Sequence, residues 1–544
     1  MNLLRSQWLP LRGGHAITPH QVSDASLAFG DLAWPRADFD GATLEFLVGI
    51  LQVMFPPETH KEWVRLYESP PTESELRSAF QPFEAAFELL GDGPRFMQDP
   101  TVAALDPADP TYLLIEYPGE NASKLNSDLF VHANVGGVLS LPVAAMGLFA
   151  LQTYAPSGGV GYRTGVRGGG PLTTMLFADE PRGKNEYGLW RSLWLNVLPL
   201  DQLDPQVDRP EGPTADIFPW MAAQRASNPK TGGVETRPGM IHPFQRFWGM
   251  PRRLWLHASA ESVASCLVTG ETPGTVVTGV STFNYGINYV DFDHPLSPHR
   301  RDEKRDVPIS IKGKSSADYR DWLAWAVGTG RTGKKVTPAD AITAFESADR
   351  KRGRRTVINH IHTDRRTIRA IAFGYEMDNA KACAYYRSEV PVLNYPGAQD
   401  MGRVLKGHVD GILNGADYAV SVLREAMKAA LYDGKRTSGD DGWVAGELMS
   451  RTEPAFRQLL ENIATAGETG ANQTGDALQQ FGAELQLATK RVFDERTEAL
   501  SPEQADMEKL VRARRKLYGV LYSARFWSTL GVENPDSVAT TNEK

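Results

Sequence analysis

Cysteine is nearly absent from this chain: 544 residues contain two, Cys266 and Cys383, far apart and in no paired spacing. That excludes a disulfide scaffold and leaves no cysteine knuckle for a metal, so no zinc is expected and a reducing cytoplasm is the natural compartment. Long apolar runs are missing as well. Met1–Pro10 lacks the apolar core of a secretory signal. Leu129–Tyr162 carries no charged residue, but Gly136, Gly137, Ser140, Pro142 and Gly147 interrupt its apolar part, Val135–Leu151. That part falls short of the roughly 18 to 20 residues a span requires. It reads as a loop leading into a buried helix, so no membrane partner is expected.

Catalytic signatures are equally scarce. There is no GxSxG elbow, no HExxH pair and no cysteine in a recognisable catalytic frame. His360 and His362 with Asp364 are spaced so that a strand would turn them one way, yet no carboxylate–histidine cluster joins them. They read as surface histidines beside arginines. The nearest approach to an enzyme signal is Gly328–Lys335, which fits GxxxxGK but places Lys335 where a Ser or Thr should hold magnesium. Asp321–Val327 before it reads as a helix end rather than a buried strand. The expectation is a non-catalytic protein without cofactor or metal. A nucleotide-binding enzyme built on Gly328–Lys335 stands as the alternative, and a stand-alone RNA-binding protein as a third reading.

What is present is the ordinary apolar and charged content of a globular protein, 41% and 23%, in a chain too long for one core. Its net charge of −8 argues against nucleic acid until the distribution is examined. Arg300–Arg369 holds 18 Lys and Arg against 9 Asp and Glu, a local excess of +9 on an acidic body. The densest run is Asp349–Arg355, with Arg352, Arg354 and Arg355, followed by Arg365, Arg366 and Arg369. Such a face suits contact with phosphate over one limited surface.

Residues 1–395 are irregular, with turn signals at Asp92–Pro94, Arg167–Pro171 and Glu271–Gly274 and helical stretches at Ala42–Met54 and Glu75–Leu90. Beyond Pro391–Pro396 the texture changes, and four stretches carry apolar residues at helical spacing. They run through Leu405–Leu423, Val444–Ile463, Leu478–Val492 and Met507–Leu521. Ser501-Pro502-Glu503-Gln504 offers a capping box for the last, and Thr452-Glu453-Pro454 a similar start within the second. The fold class expected is α+β: a large irregular mixed α/β N-terminal domain, 1–395, followed by a C-terminal antiparallel four-helix bundle, 396–544.

The most informative stretch is Ala155–Thr174, with glycines at 158, 159, 161, 165 and 168 to 170. It does not satisfy the dinucleotide fingerprint GxGxxG. A backbone this bare lets amides approach a ligand closely and lie flat in a narrow groove. Arg163 and Arg167 add phosphate-binding capacity.

This segment resembles the glycine loop of the CasA family, the large subunits of the type I-E CRISPR surveillance complex Cascade. Other motifs fall in the family's order: Asn2-Leu3-Leu4 with Trp8–Arg12, Phe130-Val131 before a glycine-containing loop, Trp190–Leu198, Phe247-Trp248, His294–Pro298, Gly374-Tyr375 with Arg387, and the terminal bundle. Together they span nearly the whole chain. The resemblance implies a crRNA-guided antiviral complex in which guide RNA reads the target and this subunit reads the adjacent motif, the PAM, in double-stranded DNA. It implies that Ser157, Gly158, Gly159, Val160 and Gly161 lie against the minor groove with Arg163 nearby, and that Phe130 touches DNA and guide. Where the family has a lysine finger this chain has none, and Asn284 and Asn288 are the nearest polar candidates. Where a glutamine wedge is expected stands Asn379, shorter by one methylene, beside Asp378. The partners implied are the other Cascade subunits, crRNA, target duplex and a helicase-nuclease effector recruited after R-loop formation begins.

Neutralising Arg352, Arg354 and Arg355 together is expected to weaken duplex binding across all sequences and to flatten its salt dependence, since phosphate contacts position rather than specify. A binding isotherm series in increasing salt checks this; an unchanged slope removes the cluster from the interface.

Overall fold

The computed structural model describes residues 1–118, 136–179, 186–203, 207–314, 317–328, 336–346, 367–378, 381–390, 401–431, 442–466, 471–499 and 506–535. Its contacts divide the chain into two compact units, Met1–Ser315 with Pro338–Glu389, and Ser316–Thr337 with Val390–Lys544. The division differs from a single cut at 395, because the segment 316–337 belongs with the bundle.

The first unit is organised on α1 (Ala37–Met54), of whose 18 residues 16 are buried. A helix buried on every face lies inside a core rather than on it. Phe46, near its middle, meets Trp8, Phe87, Phe96, Phe149 and Trp248 edge-on, with ring centroids 5.4 to 6.2 Å apart. Such edge-to-face pairs add to the burial of large rings. Two short helices follow, α2 (His60–Glu68) and α3 (Glu73–Phe80). The helix expected over Glu75–Leu90 ends at Phe80 and continues as a 3-10 segment, Gln81–Phe87. Pro82 supplies no N–H and its ring crowds the preceding turn, which ends the α ladder there. The apolar stretch before residue 155 forms α4 (Leu141–Tyr154), buried along most of its length and packed on α1. No helix among the described residues is long and apolar enough to cross a membrane.

A further short helix is α5 (Gly188–Trp194), and the sheets of this unit are small. β1 (Thr173–Asp179) pairs antiparallel with β4 (Thr367–Asp378), in the register Thr173↔Phe373 to Asp179↔Thr367, and β5 (Lys381–Val390) flanks β4. In a second sheet β2 (Arg253–Ser259) pairs antiparallel with β3 (Val276–Phe283), which also takes up the two-residue strand Leu139–Ser140.

The second unit holds α6 (Tyr319–Val327) and the long helices α8 (Met401–Leu431), α9 (Gly442–Ala466), α10 (Ala471–Glu498) and α11 (Met507–Leu521), closed by α12 (Ala524–Thr529). The short helix α7 (Asp340–Glu346) lies in the first unit. The four-residue link between α9 and α10 forces that packed pair to run antiparallel, as expected of a bundle. Apolar side chains from the first three stretches are buried, among them Val409, Leu448 and Phe481; in the fourth Leu517 and Leu521 are buried, whereas Met507 and Val511 are exposed and do not form part of its core face. The caps differ from expectation. Asp506, whose side chain accepts from the Lys509 amide at 3.2 Å, is the N-cap of α11, and Ser501–Gln504 lie outside the described residues. Thr452 caps nothing, since α9 runs through it and through Pro454. Its hydroxyl lies 2.9 Å from the Leu448 carbonyl and 3.0 Å from the Tyr319 hydroxyl, while the Tyr319 ring stacks on Phe456. Packing against α6 holds the helix where local preference would end it.

Beneath the glycine-rich segment lies a buried ion pair. Arg167 reaches Glu45 of α1, both side chains 3% exposed, and also donates to the Thr173 and Ser297 hydroxyls at 2.8 Å. Tyr154 donates to the same carboxylate at 2.6 Å. Glu45→Gln, which leaves the Arg167 charge buried without its partner, is expected to cost about 3–5 kcal/mol. Adding Arg167→Met should recover much of it, because apolar replacement of a buried pair is often near neutral. Denaturant midpoints of the two variants check this, and a Glu45→Gln chain as stable as the wild type sinks it.

Candidate nucleic-acid interface

The glycine loop is a closed structure with a narrow neck. Tyr154 ends α4, and its carbonyl accepts from the Gly170 amide at 2.8 Å, so the chain leaves and returns at one place. The compact segment between has the form of an Ω-loop, whose ends meet while its tip faces outward. Its neck rests on Glu45, which takes Tyr154 from one side and Arg167 and Thr173 from the other. Arg167 therefore balances a buried carboxylate rather than adding phosphate-binding capacity. Burial, with the Glu45 carboxylate alongside, holds the Tyr154 hydroxyl protonated far above its ordinary range. Burial and the adjacent Arg167 charge keep His294 neutral in the same layer.

At the tip, Ser157, Gly158, Gly159 and Val160 are exposed, Val160 by 80%. Gly159 at φ +127° and Gly161 at φ +80° adopt backbone that side chains rarely tolerate. At Gly161 the limit is also space, for a Cβ would meet the Tyr285 ring at 2.9 Å. Gly158 differs: a Cβ there would meet only the Tyr162 ring, at 3.9 Å.

The loop after β3 clamps this tip. The Tyr285 amide donates to the Gly161 carbonyl at 2.8 Å, and Asn284 Nδ2 donates to the Val160 carbonyl at 2.8 Å. Asn284, a candidate for the missing finger, is therefore engaged in shaping the glycine loop. Asn288 sits in a two-residue strand parallel to Glu235–Thr236, partly exposed. Arg163 donates to Ser227 through Nε (2.8 Å) and a terminal nitrogen (3.1 Å), and lies 5.7 Å from the Tyr285 ring centroid. These are neutral partners, so its charge is left available to an anion.

The β4–β5 hairpin reaches the same neighbourhood through Gly170, where a Cβ would meet Met377 Cγ at 2.5 Å and the Tyr375 carbonyl at 2.8 Å. Tyr375 anchors the hairpin to α1 by donating to Asp38 at 2.5 Å. Asp378, the last residue of β4, is exposed. The structure thus brings three sequence-derived pieces together: the glycine loop, the Asn284 loop and the Asp378 end of the hairpin. Phe130, Arg352, Arg354, Arg355 and Asn379 lie outside the described residues, as do His360, His362 and most of the Gly328–Lys335 loop.

The alternative nucleotide site loses its frame. α6 runs to Val327, and Gly328 caps it at φ +78°, so a helix end stands where a phosphate-cradling loop needs a strand. Among the described residues no cluster of three His, Cys, Asp or Glu could hold a metal ion. Sequence reasoning missed Ser227 and Tyr285, which carry Arg163 and Gly161; neither stands in a pattern that announces a partner so distant in sequence.

Comparison with known proteins fits this geometry. The model of the CRISPR-associated protein Cse1 family matches residues 2–492. The fold is shared with Thermobifida fusca Cse1, at a TM-score of 0.65 and 17% identity over 98% of both chains. It is shared with CasA from Thermus thermophilus at 0.63 and 16%, over 96% of this chain and 99% of that one. A chain of a CRISPR RNA-guided surveillance complex matches at 0.63 and 15%, over 96% and 99%. A short likeness to the small ribosomal subunit protein uS7 of Methylocella silvestris, 28% identical over 88 residues, spans 15% of this chain and 56% of that protein. It is too local to bear on the fold. With nine-tenths of its length matched by one family model and its fold shared end to end, the chain belongs to the Cse1 family.

Proposed function

We propose that this chain is the non-catalytic large subunit of a crRNA-guided Cascade complex and that it reads the PAM of target DNA through the minor groove. The observation that carries the reading is the exposed, side-chain-poor tip Ser157–Gly161, held on a closed neck and flanked by the uncompensated charge of Arg163. A minor groove offers a degenerate pattern of donors and acceptors and a characteristic width, which a bare ribbon with fixed amides can match and a bulky side chain cannot. Binding of this kind needs rigidity in the reader, and the Tyr285 and Asn284 hydrogen bonds supply it.

The remaining roles are those the family resemblance implies. The hairpin end at Asp378 and Asn379 enters the duplex beside the motif and opens the first base pair, at a cost of a few kcal/mol of stacking per step. RNA–DNA pairing and backbone contacts offset that cost as the R-loop extends. Arg352, Arg354 and Arg355 track the incoming phosphates, Phe130 contacts DNA and guide, and the assembled subunit recruits the helicase-nuclease effector.

The test uses the reconstituted complex. Gly158→Val adds bulk at the tip, where a Cβ meets only the Tyr162 ring in ordinary contact at 3.9 Å. It is expected to leave folding intact, to weaken binding of a flanked duplex about tenfold or more, equivalent to about 1.4 kcal/mol, and to spare a target already opened at the flank. Gly161→Ala instead displaces Tyr285 and should disturb the loop itself. A selection over randomised flanks in which Gly158→Val chooses wild-type targets overturns the reading.

A further inference from the structure

Arg252 lies directly beneath the glycine loop and is 6% exposed. One terminal nitrogen donates to the Pro156 carbonyl, at the foot of the tip, and the guanidinium sits 4.8 Å from the centroid of the Tyr162 ring, at the tip's other end. Its Nε and second terminal nitrogen have no hydrogen-bond partner within the described protein. No carboxylate lies within ion-pair reach of it among the described residues. The contrast with comparable arginines is sharp. Arg167 and Arg320 are as deeply buried and each has a carboxylate, Glu45 for the first, Asp318 and Asp417 for the second. Arg253, next in the chain, pairs with Asp99 at 2.8 Å. Burial pushes the Arg252 pKa down, yet a guanidinium remains charged in a protein.

A buried donor left unpaired ordinarily costs stability, and a buried cation without counter-charge costs more. The main-chain clamp at this position does not require the side chain. Gln152 accepts from the Arg252 amide at 2.9 Å and donates to its carbonyl at 3.0 Å. The guanidinium therefore does something else. A charge sealed in a low-dielectric layer is screened less by salt than a surface lysine and projects its field through the loop above it. That loop is neutral, thin and exposed. Arg163, likewise without a carboxylate among its hydrogen-bond partners, lies on the same segment.

We propose that Arg252 is a buried cationic post: it fixes the two ends of the glycine-loop tip and supplies, from below, the positive field that draws the phosphate backbone of duplex DNA onto the loop. The proposal rests on the glycine-loop reading above and adds a determinant that never touches the ligand. Arg252 is thus a positioning residue, and charge separates its role from simple scaffolding.

In the reconstituted complex, Arg252→Gln keeps a polar side chain with a shorter aliphatic stem and removes the charge. It is expected to bind flanked duplex about tenfold more weakly at low salt, and to lower the slope of log affinity against log salt by less than the roughly one unit that a directly contacted phosphate gives. Arg252→Lys keeps the charge while losing the fork, and should retain the wild-type slope. A glutamine variant with wild-type affinity and slope overturns the proposal, and so does a lysine variant that loses the slope. If the glutamine variant fails to fold, the lysine result decides alone. Photo-crosslinking from position 160 in the wild-type complex tells the two ideas apart. Absence of crosslinks to DNA defeats the glycine-loop reading itself, whereas crosslinks together with unaltered slopes defeat only the role of Arg252.

Discussion

The carboxylate of Glu45 is the constraint on which the interface depends. It sits in the middle of a helix that is otherwise core, where an unpaired charge could not persist. Its partners come from three places in the chain: Tyr154 at the end of α4, Arg167 inside the glycine-rich segment and Thr173 at the start of β1. All three must converge for the charge to be satisfied, and their convergence closes the neck of the loop. The stability of the core and the shape of the tip are therefore one problem. A loop made mostly of glycine has much conformational entropy to lose, and closing it at the base confines that freedom to a few residues.

Charge is arranged with the same end. The chain is acidic overall, at −8, and Arg36, Arg167 and Arg253 of the first unit are each paired with a carboxylate. Around the tip the pattern changes, and Arg163 and Arg252 meet hydroxyls, carbonyls and aromatic faces instead. Net charge and local charge thus point in opposite directions, which in the proposed function lets an acidic protein present one small attractive surface and repel nucleic acid elsewhere.

Much of this was legible in the sequence and some was not, for physical reasons. Helical periodicity located the buried faces of the first three bundle helices, because each helix writes its own face into consecutive turns, but in α11 it held only at Leu517 and Leu521, with Met507 and Val511 exposed. The glycine cluster announced a bare backbone near 160, since only glycine serves where φ is positive and a Cβ would meet a ring at 2.9 Å. Pairing was illegible. Arg163, Arg167, Arg252 and Arg253 look alike in the chain, yet one meets a serine, one a helix glutamate, one a tyrosine face and one an aspartate. Nothing local distinguishes them, because each partner lies 64 or more residues away. Thr452 and the segment 316–337 failed for the same reason: Tyr319 packs on Phe456, and that contact outweighs the local preference for a helix start at Thr452.

Selectivity at such a surface must come from geometry, since the tip offers almost no side chain with which to discriminate. A flexible ribbon would fit every groove after adjustment and so prefer none. The tip is held instead at four points: the Tyr154–Gly170 neck, the Asn284 and Tyr285 hydrogen bonds, and Arg252 under Pro156. In the proposed reading, a groove of the wrong width, or one carrying an amino group where the ribbon presses, meets a surface unable to yield, and the mismatch appears as lost contact rather than as altered conformation. The exposed Val160 side chain sharpens this, because it is the one apolar projection on an otherwise flat tip. As proposed, the loop reads by refusing to adapt, and the buried Glu45–Arg167 pair and Arg252 beneath it are what hold it in shape.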